Sequence, residues 1–132
     1  MKRAVICVPD PWNYLPRYDK DYSVMVINPD ANTERIQYLL DNSDYSILVT
    51  QENEYYRDGG DYEDERFFWY TSGTTGDSKF YSFSWDKVER QIDNIIDCYN
   101  LTANDRYVSV MPLWHAHGQM FYYVARKLGI ET

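Results

Sequence analysis

The sequence predicts an α/β fold with a mostly parallel sheet and flanking helices. Short apolar segments alternate along the chain with segments of helical periodicity, which is the pattern of a parallel α/β arrangement. No linker, internal repeat or low-complexity tract interrupts the 132 residues, and this length suits one domain with one core. Residues 1–132 are therefore expected to form a single domain.

Strands are expected where apolar and aromatic segments are bounded by turn-forming residues. Residues of this kind are frequent, since the chain contains 14 Tyr and 4 Trp. The predicted strands lie near Ala4–Val8, Ser23–Ile27, Ser46–Thr50, Arg66–Tyr70 and Tyr107–Met111.

Helices are expected between some of these strands and at the end of the sequence. The first follows Asn32, a residue that caps helix N-termini, and runs to about Asn42. The second follows Ser84, another capping residue, and the third covers roughly Gln119–Leu128. The apolar residues that recur at helical spacing in the second helix are Trp85, Val88, Ile92, Ile95, Ile96 and Tyr99.

The charge balance narrows the class of ligand. With 13 Lys and Arg against 21 Asp and Glu, the formal net charge is −8. Nucleic acids and anionic membranes are unexpected partners, because both require a basic patch. A nucleotide remains compatible, because one loop can bind phosphate within an acidic protein.

The cysteines and the apolar segments predict a cytoplasmic protein. No charged and apolar leader opens the chain, and no apolar run approaches the length of a membrane span. Cys7 and Cys98 form no C-x-x-C pair, which is typical of reduced thiols in the cytosol.

Two segments contain metal-ligating residue types, and neither predicts a metal site. Asp58–Glu65 is rich in acids, but their spacing matches no EF-hand loop, so a solvated acidic loop is expected. His115 and His117 follow a predicted strand and would project in different directions, with no carboxylate or thiol close in sequence.

The most informative segment is Tyr70–Lys79, where a strand runs into a loop of small and hydroxyl-bearing residues that ends in a cation. Gly73 and Gly76 permit sharp turns and a close backbone approach to a ligand. Hydroxyls and successive backbone N–H groups can then face one anion, and Lys79 adds a positive charge. The predicted phosphate-binding residues are Thr71, Ser72, Gly73, Thr74, Thr75, Gly76 and Lys79.

The spacing within this loop excludes two common classes of phosphate loop. A Walker loop has four residues between its glycines and Ser or Thr after its lysine, whereas two residues separate Gly73 from Gly76. Phe80, rather than Ser or Thr, follows Lys79. The dinucleotide fingerprint G-x-G-x-x-G is absent from the sequence.

Tyr70–Lys79 resembles the phosphate-binding signature of the adenylate-forming (ANL, AMP-binding) superfamily, which includes acyl-CoA synthetases and aryl-CoA ligases. That signature is close to Tyr-Thr-Ser-Gly-Thr-Thr-Gly-x-Pro-Lys-Gly. Tyr70–Gly76 and Lys79 match it in register, whereas Ser78 stands in place of proline and Phe80 in place of glycine. At Phe80, a side chain occupies a position where the family's backbone carries none.

Two further segments are similar to the same family. Val108–Phe121 looks like its next motif, a strand that ends in Pro-Leu-aromatic-His-x-x-Gly before a helix. Val26–Pro29, the helix after it and Ile47–Thr50 resemble the stretch that precedes the phosphate loop. The resemblance therefore covers nearly the whole chain from about Arg3, and it implies a partial ANL N-terminal domain.

The resemblance implies an AMP-binding domain of an ATP-dependent ligase of the acyl-CoA or aryl-CoA type. In that family a carboxylate attacks the α-phosphate of ATP, giving acyl-AMP and pyrophosphate, and a thioester then forms. The implied ligands are ATP or AMP with Mg²⁺, and the implied partners are a carboxylic acid and CoA or another thiol. His115 takes the position that borders the acyl site, and Pro112–His115 lacks the aspartate that amino-acid-activating relatives typically carry.

The motifs that come next in the family have no counterpart in these 132 residues. They include the adenine and ribose contacts and the C-terminal domain with its catalytic lysine. We therefore expect a truncated, central part of the domain that does not complete the reaction alone, which leaves open whether the chain is itself an enzyme.

Two alternatives remain, a subunit of a split ligase and a non-catalytic interaction or regulatory module. In relatives the last helix packs on strands that this sequence lacks. Exposed apolar surface is therefore expected on that helix, which would favour self-association or a complementing polypeptide.

Overall fold

A computed structural model describes residues 1–71, 79–106 and 112–130 of the chain. The fold consists of two compact units, Met1–Ser84 and Trp85–Thr132. The first unit contains the sheet, and the second contains two long helices. The strand predicted near Tyr107–Met111 lies outside the described residues.

The first unit contains six strands and three helical segments. The strands are β1 (Lys2–Cys7), β2 (Tyr22–Val26), β3 (Ile47–Thr50), β4 (Glu54–Tyr56), β5 (Glu65–Thr71) and β6 (Lys79–Ser84). The helical segments are a 3₁₀ turn at Pro11–Asn13, α1 (Leu15–Tyr18) and α2 (Thr33–Asn42).

The sheet is parallel at its centre and antiparallel at both edges. Its strand order is β4-β3-β1-β2-β5-β6, and the four central strands β3, β1, β2 and β5 are parallel to one another. The edge strands β4 and β6 are antiparallel to β3 and β5. The predicted α/β fold with a mostly parallel sheet and flanking helices is therefore confirmed.

Sequence patterns did not predict the two edge strands. β4 is three residues long, and all of its residues are exposed, so it has none of the apolar alternation that marks a half-buried strand. β6 lies between the predicted loop and the predicted start of a helix, and its pairing with β5 depends on the hairpin that joins them.

A buried apolar cluster fills the space between one face of the sheet and α2. Its members are Val5, Met25, Ile27, Leu39 and Phe68, each with no exposed surface. Leu39 is contributed by α2, and the other four come from β1, β2 and β5 or the residue directly after β2. Burial of this apolar surface is the main term that holds α2 on the sheet.

The N-terminus of α2 is capped as the sequence predicts. The Asn32 side-chain oxygen accepts hydrogen bonds from the backbone N–H groups of Glu34 (2.8 Å) and Arg35 (3.4 Å). These bonds satisfy donors that have no partner inside the helix. The first turn of α2 is thus anchored at the edge of the sheet where β2 ends.

Replacing Asn32 with alanine is expected to reduce the free energy of unfolding by about 1 kcal/mol, because the cap is lost. Urea denaturation followed by circular dichroism would measure the change. Asn32→Ser is the matched control, since serine caps helices about as well as asparagine. Equal losses in the two variants would contradict a capping role.

A buried ion pair joins the starts of β1 and β5. Arg3 donates from Nε to Glu65 Oε1 (2.9 Å), and a second guanidinium nitrogen donates to Glu65 Oε2 (3.0 Å). The hydroxyls of Ser23 and Ser82 also donate to the Glu65 carboxylate, and Arg3 donates to the Ser43 carbonyl at 2.8 Å. Both charged groups therefore have hydrogen-bond partners, which a buried ion pair requires.

This ion pair corrects the expectation that all of Asp58–Glu65 is a solvated acidic loop. Asp58, Glu63 and Asp64 are exposed, but Glu65 is the first residue of β5 and is only 2% exposed. The reason is the pairing of β1 and β5 with β2, which brings the starts of all three strands together.

The second unit contains α3 (Trp85–Tyr99) and α4 (Ala116–Leu128). α3 buries Val88, Ile92 and Ile95, members of the predicted apolar face. Lys127 of α4 donates to Glu89 (2.9 Å) and Asp93 (2.7 Å) of α3, which links the two helices. α4 begins three residues before the predicted Gln119 and ends at Leu128, and the C-cap residue Gly129 is in the left-handed conformation (φ 70°).

None of the helices in the described ranges combines the length and the apolar character that a membrane crossing needs. The cytoplasmic location stays a prediction.

Candidate phosphate-binding site

The candidate site lies at the carboxyl edge of the sheet in the first unit. β1, β2 and β5 run parallel, so their carboxyl ends, at Cys7, Val26 and Thr71, meet at one edge. Open α/β sheets bind ligands in the crevice outside this edge. β2 and β5 are direct neighbours, so the residues directly after Val26 lie at the same edge as Thr71.

The hairpin of β5 and β6 brings the two ends of the predicted loop together. Thr71 pairs with Lys79, and Tyr70 pairs with Phe80 in the row before them. Thr71 and Lys79 are the first and last residues of the predicted phosphate-binding set. The remaining members, Ser72, Gly73, Thr74, Thr75 and Gly76, lie outside the described residues.

Phe80, which stands in place of the family's glycine, packs into the core. Its ring centroid lies 6.4 Å from that of Phe68 at an interplanar angle of 38°. The side chain is partly buried against the apolar cluster on the face of the sheet that α2 covers. The extra side chain is therefore accommodated by the hydrophobic core.

Tyr70 is held between the core and a cation. Its side chain packs against the apolar cluster, and burial raises the pKa of its phenol, which stays protonated at neutral pH. The Arg35 guanidinium lies 5.1 Å from the ring centroid and acts on this pKa in the opposite direction. Cys7 is half-buried nearby, and burial raises the pKa of its thiol, which makes it a poor nucleophile.

Sequence analysis did not identify Arg35 as a residue of this edge. A signal for it was available, because a helix that follows a parallel strand begins at the edge where that strand ends. Arg35 is in the first turn of α2, and α2 follows β2. The sequence does not reveal which strand pairs with β2. In the structure this strand is β5, which contains Tyr70.

His115 belongs to the second unit, where it is the N-cap residue of α4. Its backbone is extended (φ −95°, ψ 139°), its side chain makes no capping hydrogen bond, and the residue is exposed. Leu113, two residues earlier, is 1% exposed and anchors this turn. The role of His115 beside an acyl site stays a prediction.

A groove of about 580 Å³ lies between α3 and α4. Its lining includes Ile95, Cys98 and Tyr99 of α3 and Met120 and Phe121 of α4, and His115 is not among the described residues that line it. Met120 and Phe121 are partly buried. Self-association through the last helix stays a prediction.

The sequence and the fold together identify the family. The sequence profile of AMP-binding enzymes matches residues 58–132, which is more than half of the chain. The chain therefore belongs to the AMP-binding enzyme family, and the resemblance to the adenylate-forming superfamily is confirmed. The matched range contains the predicted phosphate-binding residues and His115.

A curated relative is similar over part of the chain. The probable acyl-activating enzyme 16, chloroplastic, of Arabidopsis thaliana is 36% identical over 62 residues, which are 47% of this chain and 9% of that protein.

Solved structures share the fold along nearly the whole chain. O-succinylbenzoate coenzyme A synthetase (MenE) from Bacillus subtilis, in complex with AMP, has a TM-score of 0.77 at 16% identity and covers 98% of this chain. MatB from Rhodopseudomonas palustris has a TM-score of 0.78 at 16% identity, also over 98% of this chain. The chain spans 42% of that MenE structure and 34% of MatB. MenE has also been solved with ATP and a magnesium ion.

Proposed function

We propose that this chain binds the phosphate groups of ATP through Thr71, Lys79 and the loop between them, within a ligase that activates a carboxylic acid. The observation that carries the proposal is the pairing of Thr71 with Lys79 at the carboxyl edge of the sheet. This pairing places both ends of a loop rich in hydroxyls and glycines where α/β folds bind ligands. Membership of the AMP-binding enzyme family supports the same assignment.

The proposed chemistry requires positioning and charge neutralisation more than proton transfer. A carboxylate oxygen would attack the α-phosphorus of ATP, the bond from that phosphorus to the bridging oxygen would break, and pyrophosphate would leave. The attacking carboxylate already carries its nucleophilic electron pair, so no general base is needed. Lys79, the loop hydroxyls and the loop N–H groups would hold the β- and γ-phosphates and offset the charge on pyrophosphate.

Magnesium would arrive with the nucleotide. Within the described ranges, no group of three or more His, Cys, Asp and Glu side chains is arranged to hold a metal ion. Mg²⁺ usually keeps several waters and is bound largely by substrate phosphates, which fits a chain that lacks a dedicated cage in those ranges. The ion would neutralise part of the triphosphate charge.

The acyl side of the reaction is proposed from the family pattern. His115 would border the acyl site, and a carboxylic acid with CoA or another thiol would be the remaining substrates. The absence of an aspartate from Pro112–His115 supports a simple acid rather than an amino acid.

Replacing Lys79 with alanine is expected to weaken ATP–Mg²⁺ binding by about 10-fold or more, because a hydrogen bond to a charged group contributes about 1.5–3 kcal/mol. Isothermal titration calorimetry on the purified chain would measure the affinity. Lys20→Ala is the matched control, since Lys20 is exposed and precedes β2 at the opposite edge of the sheet. That variant should bind ATP like the wild type.

Two outcomes would count against the proposal. The absence of any ATP binding by the wild-type chain would favour a non-catalytic interaction module. Equal affinities of wild type and Lys79→Ala for ATP–Mg²⁺ would remove Lys79 from the site.

A separate experiment tests whether the chain completes the reaction alone. Substrate-dependent exchange of pyrophosphate into ATP by the purified chain would contradict the expectation that it does not.

A further inference from the structure

Arg35 is a cation with one buried donor that has no acceptor in the part of the chain that the structure describes. Its Nη2 atom is shielded from solvent, and among the described residues no group accepts a hydrogen bond from it. The ion pairs within those same ranges do not include Arg35. The side chain as a whole is only partly buried.

Two other arginines of the first unit combine ring contacts with hydrogen bonds. Arg3 is paired with Glu65 and also donates to a backbone carbonyl. Arg57 stacks on Tyr45 and donates to the Tyr45 carbonyl at 2.9 Å. The Arg35 guanidinium lies over the Tyr70 ring at the longer distance of 5.1 Å, and its Nη2 atom has no hydrogen-bond partner among the described residues.

The position of Arg35 is electrostatically unfavourable in the absence of an anion. It lies in the first turn of α2, where the helix dipole disfavours a positive charge. A buried donor without an acceptor is a further cost. Both costs fall when an oxyanion supplies the missing acceptor and a negative charge at the same point.

Arg35 also lies where such an anion would be bound. α2 begins at the carboxyl edge of the sheet, because it follows β2. Tyr70, beneath the guanidinium, is the residue before Thr71 and pairs with Phe80, the residue after Lys79. A cation–π contact of 5.1 Å holds the guanidinium near the Tyr70 ring, and its forked donors match phosphate oxygens.

We propose that Arg35 is an oxyanion-binding residue that contacts the phosphate chain of a nucleoside triphosphate as a second cation beside Lys79. This inference rests on the proposed function and adds a residue of α2 to it. Phosphate is favoured over the carboxylate of the acid substrate, because a triphosphate carries several negative charges and the guanidinium fork can engage two of its oxygens.

Arg35→Gln is expected to weaken binding of ATP–Mg²⁺ and of inorganic pyrophosphate–Mg²⁺ by about 10-fold, equivalent to about 1.4 kcal/mol, in calorimetry on the full chain. AMP binding should weaken less than ATP binding. Arg35→Lys, which keeps the charge but not the fork, should give an intermediate affinity. Lys20→Gln removes the same charge at the opposite edge of the sheet and should change binding less than twofold.

The result that would overturn this inference differs from the one that would overturn the proposed function. Unchanged ATP and pyrophosphate affinities in Arg35→Gln, alongside weaker binding in Lys79→Ala, would reject Arg35 and leave the proposed function standing. Equal losses of ATP affinity in Arg35→Gln and Lys20→Gln would show that the effect comes from net charge. That result would also reject a phosphate-binding role for Arg35. A wild-type chain that binds neither ligand would reject both proposals.

Folding of the variants is checked separately. Because the buried Arg35 donor has no acceptor within the described ranges, loss of this side chain should leave the thermal midpoint of the ligand-free chain unchanged or raise it. A lower midpoint in both Arg35→Gln and Arg35→Lys, with ATP affinity restored on cooling below the transition, would assign Arg35 a structural role and overturn the proposal.

Discussion

Glu65→Ala is expected to lower the free energy of unfolding by about 3–5 kcal/mol, because it leaves the Arg3 guanidinium buried without its counter-charge. Arg3 and Glu65 are 6% and 2% exposed, so water cannot replace the lost carboxylate. The Ser23 and Ser82 hydroxyls would lose the same acceptor. Domains have a total stability of about 5–15 kcal/mol, so a loss of this size would leave a substantial fraction of the chain unfolded near 37 °C.

Urea denaturation followed by circular dichroism would measure this loss. Asp61→Ala is the matched control, because Asp61 also forms an ion pair, with the N-terminal ammonium at 2.6 Å, but its side chain is 70% exposed. Exposed ion pairs contribute little to stability, so the control should keep the wild-type midpoint. The paired substitution Arg3→Met with Glu65→Leu should recover much of the loss, since it removes both buried charges. Equal midpoints for Glu65→Ala and Asp61→Ala would show that burial of the pair has no energetic consequence.

Phe68→Ala should cost about 3–5 kcal/mol of unfolding free energy, since a fully buried aromatic ring is replaced by a cavity. The ring joins three parts of the first unit. It belongs to the cluster that packs under α2, it lies 4.2 Å from the Arg3 guanidinium, and it contacts the ring of Phe80. A collapse of the surroundings could fill only part of the space, because neighbouring strands hold the cavity open.

The control for this substitution is Tyr55→Ala, which removes an aromatic ring from edge strand β4 where half of the side chain is exposed. Its effect on the denaturation midpoint should be several times smaller. The Phe68→Leu variant keeps most of the apolar volume, so its denaturation midpoint should lie between those of Phe68→Ala and Tyr55→Ala. A Phe68→Ala protein as stable as Tyr55→Ala would mean that the apolar cluster under α2 is not the core of the first unit.

Local patterns predicted the features that depend on neighbouring residues in sequence. Asn32 is followed by apolar residues at helical spacing, and the helix begins and is capped there. The loop signature between Tyr70 and Lys79 identified the family, because a phosphate loop is a continuous segment whose glycines and hydroxyls must occur in a given order. The start of α4 was missed by three residues, since helix ends carry weaker signals than helix interiors.

The features that the patterns missed depend on strand order. The acid run Asp58–Glu65 looks uniform as a sequence, yet only its last residue is buried by the neighbouring strands. In the sequence, Phe80 adds a side chain to the phosphate loop at a position where the family has glycine. Its contact with Phe68 depends on the pairing of β5 with β6, which the sequence patterns did not predict. Between Arg35 and Tyr70, which are in contact, the chain forms the rest of α2 and the strands β3 and β4.

Local sequence patterns suffice for the α/β class, the position of the capped helix, the phosphate-loop signature and the membership of the AMP-binding enzyme family. The order of the strands in the folded sheet accounts for the burial of Glu65, the packing of Phe80 and the place of Arg35 at the carboxyl edge. The physical reason is that periodicity, capping and turn chemistry act over a few residues. A buried ion pair or a cation stacked on a ring requires two distant segments, whose meeting depends on how the whole sheet buries its apolar faces.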